Sequence, residues 1–454
     1  MTLITNLNWG IVEIVYLIII FVSGFIITLL ITPYIIKYMK RKGIVGYDIH
    51  KNARPEIAES GGLSIVIGLL VASILSIVLF PVFFNIILIF IITIGLAAVI
   101  GLIDDRKKLR SRYKITLTIL TGSAIFVANY YDFITISSPV LPFLGQTRLR
   151  LIYPLLVPII VAVFANTTNM MEGYNGEGSG TCLIAVCSLF VCALIWNSAE
   201  AILFTIIAIA VLIPFFLYNK YPAKVFPGDI GTLTMGVMIA CIALFGSLEV
   251  AVFCALLMHI FNSFYILSSV RGFLESSEIK KIKDDIILLE DDRIRASDQK
   301  DAALTLPRLI LARGPLTEKE LVLNFFVISI ICGFFSIITT LLIVWTIRTL
   351  NIIIIIITII IFLGITIYFL YKFNRIRGII VLMIFLLIGG AIFLFFIDLY
   401  VMNLPLANID LLIIVIPINI LITLILFVPG LMIWYFITVK YFWMHMKKAK
   451  TQKL

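Results

Sequence analysis

Two adjacent carboxylates, Asp104 and Asp105, end the apolar run GLIDD, and a third, Asp229, sits in the turn FPGDIG. Between them in sequence, residues Asn166 to Gly180 read NTTNMMEGYNGEGSG, an amide- and glycine-rich segment flanked by lipid-like stretches. Polar groups at the edge of hydrocarbon are costly, and clusters of them mark ligand or ion sites. Adjacent carboxylates repel each other and need Lys, Arg or a metal nearby. Asn166, Asn169 and Glu172 recur every three residues, so a helix continuing through them would place all three on one face. Amide and carboxylate oxygens stacked in that way suit a hard cation such as Mg²⁺, which takes a few protein oxygens plus water and phosphate. Gly176, Gly178 and Gly180 would let backbone approach a ligand closely. Taken singly, each motif also reads as ordinary structure: a charged helix end beside Arg106–Lys108, a polar helix C-terminus, a tight turn.

The elements that must position these groups are set by composition. The chain has 454 residues, is 62% hydrophobic and has a mean hydropathy of +1.16. Apolar runs near or above the roughly 20 residues a bilayer-spanning helix needs recur throughout. The spans expected are 11–39, 61–80, 84–103, 113–130, 150–165, 181–197, 200–218, 231–247, 249–270, 321–347, 350–371, 378–399 and 410–439. Isoleucine dominates Asn351–Phe362 and favours strand in water, but in lipid only a helix satisfies its own backbone. The fold class expected is therefore all-α, a polytopic membrane helical bundle of about ten core spans plus about three C-terminal ones. Residues 1–347 would carry the chemistry, and 348–454 would be a lipid- or partner-facing extension with a basic tail.

The N-terminal run lacks Lys or Arg before Lys37 and is too long for a signal peptide. The cluster Lys37, Lys40, Arg41, Lys42 orients span one with its start outside. Carried forward, that topology puts only Arg148, Arg150 and Arg348 of the 35 Lys and Arg residues on the outer side. The +10 net charge is thus the positive-inside rule plus attraction to anionic inner-leaflet lipid, not a nucleic-acid footprint. The six cysteines all lie in apolar spans without metal spacing and read as packing residues. His259 reads as a core histidine, whereas His50 lies in a polar inner loop.

Four inner loops carry the polarity: GYDIHKNARPEIAESGG, DDRKKLRSRYK, the amide–glycine segment, and NKYPAKVFPGDIG. Asp104, Asp105, Glu172, Glu177 and Asp229 share a compartment with Lys51, Arg54, Lys114 and Lys224. One-sided polarity suits an active site opening to the cytoplasm. A permeation path would need polar residues through the spans. Phosphate chemistry fits best, because phosphate needs Mg²⁺ and Lys or Arg to offset its charge.

In these loops the chain resembles the polyprenyl-phosphate N-acetylhexosamine-1-phosphate transferases, which include dolichyl-phosphate GlcNAc-phosphotransferase and the muramoyl-pentapeptide phosphotransferase of bacteria. The resemblance rests on DIHKNARPEIAESGG, GLIDDRKKLRSRYK, NTTNMMEGYNGEGSG and NKYPAKVFPGDIGTL, in that order, and covers about 11–347. It implies an α-helical bundle with a cytoplasmic active site, which transfers HexNAc-1-phosphate from a UDP-sugar to a polyprenyl or dolichyl phosphate and releases UMP. The cofactor implied is Mg²⁺, with Mn²⁺ as a substitute. By motif, Asn169 and Asp229 would ligate the metal, and Asp104 and Asp105 would stand near the lipid phosphate, one as base, positioning group or nucleophile. Lys114 would contact phosphate, Asn175 would read uracil, and Lys51 and Glu59 would line the acceptor side. Leu306-Pro307-Arg308 is similar to the family's sugar-binding Pro-Arg turn, which makes Arg308 a substrate contact, although Ala303, Leu304 and Thr305 replace the basic residues before it. Bacterial members carry Asp at Glu172 and a histidine-rich loop absent here. PEIAESGG and GYNGE favour the dolichol-type branch, and the isoleucine- and lysine-rich composition an archaeal one. A homodimer is compatible with the sequence. The competing reading is a multi-pass transporter or flippase of lipid-linked sugars or small anionic solutes.

Overall fold

The computed structural model describes residues 10–142, 145–146, 152–270, 284–348, 352–396, 408–411 and 414–451. Arg148, Arg150, residues 271–283 of the long inner loop and Lys453 of the basic tail lie outside them. The bundle is built from α1 (Ile11–Arg41), α2 (Leu63–Leu79), α3 (Phe84–Lys107), α4 (Ser111–Tyr130), α5 (Ile152–Asn169), α6 (Glu177–Trp196), α7 (Ala199–Asn219) and α8 (Gly228–Gly246). After these come α9 (Glu249–Ala255), α10 (Leu257–Val270), the short α11 (Leu306–Leu311), α12 (Glu318–Ile347), α13 (Ile352–Lys372), α14 (Arg377–Phe396) and α15 (Ile418–Thr451). Among the described residues seven helices are long and apolar enough to cross a membrane, or eight if α9 and α10, bent by 68°, form one broken span. The protein is a polytopic all-α membrane protein. The isoleucine tract is helical, as lipid requires of a segment with no partner for its N–H and C=O groups.

Two expected spans differ in detail. Residues 249–270 break at Leu256 into α9 and α10. The stretch 410–439 does not begin as a helix: β8 (Asn408–Leu411) and β9 (Ile414–Pro417) form an antiparallel hairpin first. Pro417 stands at the junction, where a residue without an N–H costs a helix start nothing. From there α15 runs on through the basic tail to Thr451.

Burial orders the helices. In α8, 89% of the most apolar stretch is covered by protein, against 22% in α1 and 17% in α13. Helix α8 is thus the axis, while α1 and α13 present their isoleucines outward to lipid. The axis is reached by backbone contact. A Cβ on Gly62, just before α2, would lie 2.1 Å from the Cα of Gly231 in α8, and one on Gly101 in α3 would lie 2.4 Å from the Cα of Ile230. Only glycine allows three helix ends to meet so closely, and this brings the C-terminal turn of α3 onto the first turn of α8. The first inner loop is stitched to the same place. Its strands β1 (Val45–Tyr47) and β2 (Glu56–Ala58) pair antiparallel. Gly61 N–H then donates to Phe226 O and Gly62 N–H to Pro227 O, both at 2.9 Å.

The far end of the bundle carries ordinary pairs. Ser137 and Ser247 hydroxyls meet at 2.5 Å, Tyr153 bonds Glu249, and Arg348 lies over the Trp196 ring. The opposite end, called inner after the expected topology, carries an additional layer, the three-stranded sheet of β5 (Ile286–Leu288), β6 (Arg293–Ala296) and β7 (Leu316–Thr317). Within that sheet β5 and β6 form an antiparallel hairpin.

Helix α3 holds its own control for this packing. Gly101→Ala should destabilise the protein by about 1–3 kcal/mol through overpacking, read as a lower melting temperature in detergent. Gly95→Ala, where nothing lies within 4 Å of the added carbon, should not lower it.

Candidate active site

The inner end holds a cavity of about 430 Å³, and the acids converge there. Because α3 and α8 touch at Gly101, the Asp105 carboxylate accepts the main-chain N–H of Asp229 at 2.6 Å, while its other oxygen accepts the Ser60 hydroxyl at 2.7 Å. Asp104, one position on, faces the other way. Its Oδ1 accepts the N–H of Leu109 at 2.7 Å and its Oδ2 meets the ammonium of Lys114, from the first turn of α4. The same ammonium reaches Asp229 Oδ1 at 3.1 Å. Asn169, the last residue of α5, donates to Asp229 Oδ1 and, at 2.7 Å, to Thr232 Oγ1. Two carboxylates from two helices, Asp104 and Asp229, therefore share one lysine, with Asp105 beside them, and all three acids line the cavity.

Three carboxylates against one ammonium leave excess negative charge, and the neighbouring donors are oxygens. That donor set fits a hard divalent cation of the Mg²⁺ class rather than a thiophilic one. The buried Oδ2 of Asp104 has the lysine as its ion-pair partner and no hydrogen bond of ordinary geometry. Asn169 could serve such an ion only through Oδ1, so the amide that now donates to Asp229 would have to turn over.

A second polar group lines the same cavity. Asp48, His50 and Glu318 are all buried and bring one ligand atom each within 4.8 Å. Asp48 Oδ2 accepts from Lys51 Nζ at 2.5 Å, and its Oδ1 accepts the N–H of His50 at 3.2 Å. Burial opposes ionisation of Asp48, but bonds from Lys51, Asn175 and His50 hold its carboxyl below the usual range. Lys51 is 3.9 Å from Glu318 and so already supplies the countercharge that a metal would bring. The imidazole of His50 stacks on Tyr174 at 4.3 Å.

Asp104, Asp105, Lys114, Asn169, Asp229, Glu59 and Asn175 all line the cavity. Other expectations are corrected. Helix α5 ends at Asn169, so Asn166, Asn169 and Glu172 do not form one oxygen face. Asn166 instead donates to Thr118 and Ala162. Glu172 folds back on Gly178, and burial pushes its carboxyl up to about 8, so near neutral pH it is an uncharged acid unsuited to holding a cation. Gly178 and Gly180 serve packing rather than ligand approach, since a Cβ there would meet Glu172 at 1.9 Å or Phe326 at 2.5 Å. Lys51 stands behind Asp48 with its ammonium over the Tyr221 ring.

Arg308 departs furthest from expectation. It is 2% exposed and does not line the cavity. Its guanidinium donates to the carbonyls of Ser297, Gln299, Ala302 and Ala303 and lies over the rings of Phe442 and Trp443 in α15. Arg313 likewise donates to Asn374 and to Tyr441, and Arg375 to the carbonyl of Gly314. Trp434 packs among Phe261, Phe264 and Tyr265. The C-terminal helices thus brace the inner sheet, and at the other side of that sheet Asn52 clasps the β5–β6 turn through Leu289, Glu290 and Asp292.

Sequence reasoning missed Ser60, Thr232 and Glu318 as parts of the site. Ser60 lay in a quoted motif. Glu318 had no local signal, because its partner Asn175 is 143 residues away.

Residues 87–247, which contain both acidic motifs and the amide segment, match the sequence profile of glycosyl transferase family 4. A relative from Saccharolobus solfataricus is 32% identical over half of this chain and 70% of its own length. The chain belongs to glycosyl transferase family 4. That relative is provisionally named a UDP-N-acetylglucosamine–dolichyl-phosphate N-acetylglucosaminephosphotransferase. A Sulfolobus acidocaldarius protein with the same provisional name is 28% identical over 70% of this chain and 94% of its own length. The phospho-N-acetylmuramoyl-pentapeptide-transferase of Streptococcus mutans is 26% identical over 49% of this chain and 70% of its own.

Arg308→Ala should strip donors from buried carbonyls, each worth about 1–3 kcal/mol when orphaned, and limited proteolysis should open residues 284–317. A substrate contact would instead show as a raised KM with unchanged protease resistance. Trp443→Ala should reproduce the proteolysis more weakly, since a cation–π contact contributes about 1–2 kcal/mol.

Proposed function

We propose that the protein transfers N-acetylhexosamine-1-phosphate, GlcNAc-1-phosphate in the reading favoured here, from a UDP-sugar to a polyprenyl or dolichyl phosphate and releases UMP. The observation that carries this is the convergence of Asp104, Asp105, Asp229, Lys114 and Asn169 on one cavity, in a chain whose relatives are named for such transfers. In the reaction an oxygen of the lipid phosphate attacks the β-phosphorus of the donor. The bridging oxygen to the α-phosphorus leaves with its electron pair as UMP. Each residue's part follows from its place. Lys114, held between Asp104 and Asp229, offers a proton-rich cation to the charge that grows on the bridging oxygen. Asp105 is committed to Ser60 and the Asp229 N–H, so it fixes the first turn of α8 rather than taking a proton. A phosphate monoester, with a second pKa of about 6, is already mostly ionised near neutral pH, so positioning outweighs proton abstraction. A divalent cation held by Asp229 and Asn169, Mg²⁺ or Mn²⁺, would neutralise pyrophosphate charge when bound.

The charge partition supports a cytoplasmic site: the cavity end of the bundle is also the end carrying Lys37–Lys51, Arg106–Lys114 and the tail of α15. The catalytic unit proposed is 1–347, with 348–454 bracing it. A transport path finds no support in α8, whose wall of Ile, Leu, Met, Val and Ala residues lies buried at the axis.

Purified protein with radiolabelled UDP-GlcNAc, Mg²⁺ and a polyprenyl phosphate should yield a chloroform-soluble product that EDTA prevents. Asp229→Asn and Lys114→Met should each lower kcat by about 10²–10³. Wild type that makes no product from any UDP-sugar would sink the reading. Sealed inside-out vesicles should turn over added UDP-sugar, and right-side-out vesicles should not.

A further inference from the structure

Two arginines stand side by side in the C-terminal part of the fold, away from the cavity lining. Arg313 Nη1 donates to the carbonyl of Asn374 at 2.6 Å and to its Oδ1 at 3.0 Å, while Arg375 Nη1 donates to the carbonyl of Gly314 at 2.7 Å. Each guanidinium thus grips the residue next to the other, which fastens two like charges together at the turn between α13 and α14. From α15, Tyr441 and His445 face Arg313 Nη2 at 3.2 and 3.3 Å, and Lys448 adds its charge beside His445. Among the described residues neither guanidinium has a carboxylate within ion-pair distance. Glu320, the acid facing Arg375, has its Oε2 committed to the N–H and hydroxyl of Thr317. Burial, with the Arg313 charge added, pulls the Arg375 guanidinium below its usual range against the opposing charge of Glu320. The Nε of Arg313 is buried and has no acceptor among the described residues.

A buried N–H without an acceptor is costly, and paired guanidiniums without an acid leave charge uncompensated. One oxyanion answers both, because arginine presents several donors in a fork that fits phosphate oxygens. Position says where that oxyanion comes from. Helix α13 is only 17% covered by protein, and its last turns expose Ile367, Tyr368 and Tyr371, so lipid reaches the turn directly. Tyr441 and Trp443 stand on the α15 side of it, as aromatic rings do at headgroup depth. Helix α14 starts there and adds the positive end of its dipole. We infer that Arg313 and Arg375 form a binding site for the phosphate of an anionic phospholipid headgroup, whose acyl chains lie along the exposed face of α13. Arg313 stands between α11 and β7, so a bound headgroup would tie the inner sheet to the C-terminal helices. The site is independent of the transferase reading.

Hydrogen exchange of the full chain in phosphatidylcholine nanodiscs, with and without phosphatidylglycerol, tests this. Phosphatidylglycerol should slow exchange at 312–317 and 373–378 by about 5-fold, the factor expected for one cation beside an anionic lipid. Residues 37–42, with their exposed cations at the end of α1, should not change. Equal slowing at both places is general attraction and overturns the site. Native mass spectrometry reads the preference itself: wild type should retain phosphatidylglycerol over phosphatidylcholine, and Arg375→Gln should lower that preference by about 5-fold. Arg313→Lys keeps the charge but loses the fork and its Nε donor, and should lower it as well. Lys40→Gln removes an exposed cation elsewhere and should leave the preference intact; a loss equal to that of Arg375→Gln overturns the site. Excess inorganic phosphate that slows exchange at 312–317 and 373–378 as much as phosphatidylglycerol does overturns the lipid assignment. Wild type without slowing there overturns the inference alone, should both arginine variants fail to fold.

Discussion

Everything at the inner end depends on three helix ends being allowed to touch. Side chains at positions 62 or 101 would part α2 and α3 from α8, because the atoms they would meet are backbone and cannot step aside. With glycine there, the last turn of α3 lies against the first turn of α8, and Asp105 is close enough to accept the Asp229 N–H. Lys114 then has two carboxylates to bridge instead of one. The charge cluster follows from a packing constraint in the apolar bundle below it.

That origin explains why carboxylates survive so near lipid. Asp104 and Asp105 have both oxygens assigned to a hydroxyl, an N–H or an ammonium, and Asp229 has one held by an amide and an ammonium, which offsets part of the penalty of leaving water. Glu172 is the exception that fits the same rule: with only a backbone N–H to offset burial, it holds its proton instead. Two kinds of acid therefore line one cavity, one shared among polar partners, one neutral and tucked against Gly178.

Much of this was legible in the sequence because lipid restricts the options. A segment of twenty apolar residues has one way to satisfy its backbone, so helix positions followed directly, and the Lys and Arg partition fixed which loops share a face. Asp104, Asp105, Lys114, Asn169 and Asp229 were visible as types in those loops. What stayed hidden were relations across long separations. Nothing near Glu318 announces Asn175, and nothing near Arg308 announces Phe442 and Trp443, so an arginine after proline read as a ligand contact when it is a fastener. Period-three spacing also misled at Glu172, because α5 stops three residues earlier.

The placement of Arg308 has a consequence for how the protein is made. Chains emerge N-terminus first, at about 5–20 residues per second. The guanidinium therefore leaves the ribosome well before the two aromatic rings that cover it, which belong to α15. Until α15 enters the membrane, the inner sheet lacks its lid of rings and its anchor through Arg313. The order of translation thus makes α15 a timer, and the site-bearing layer completes its packing only after α15 has been made.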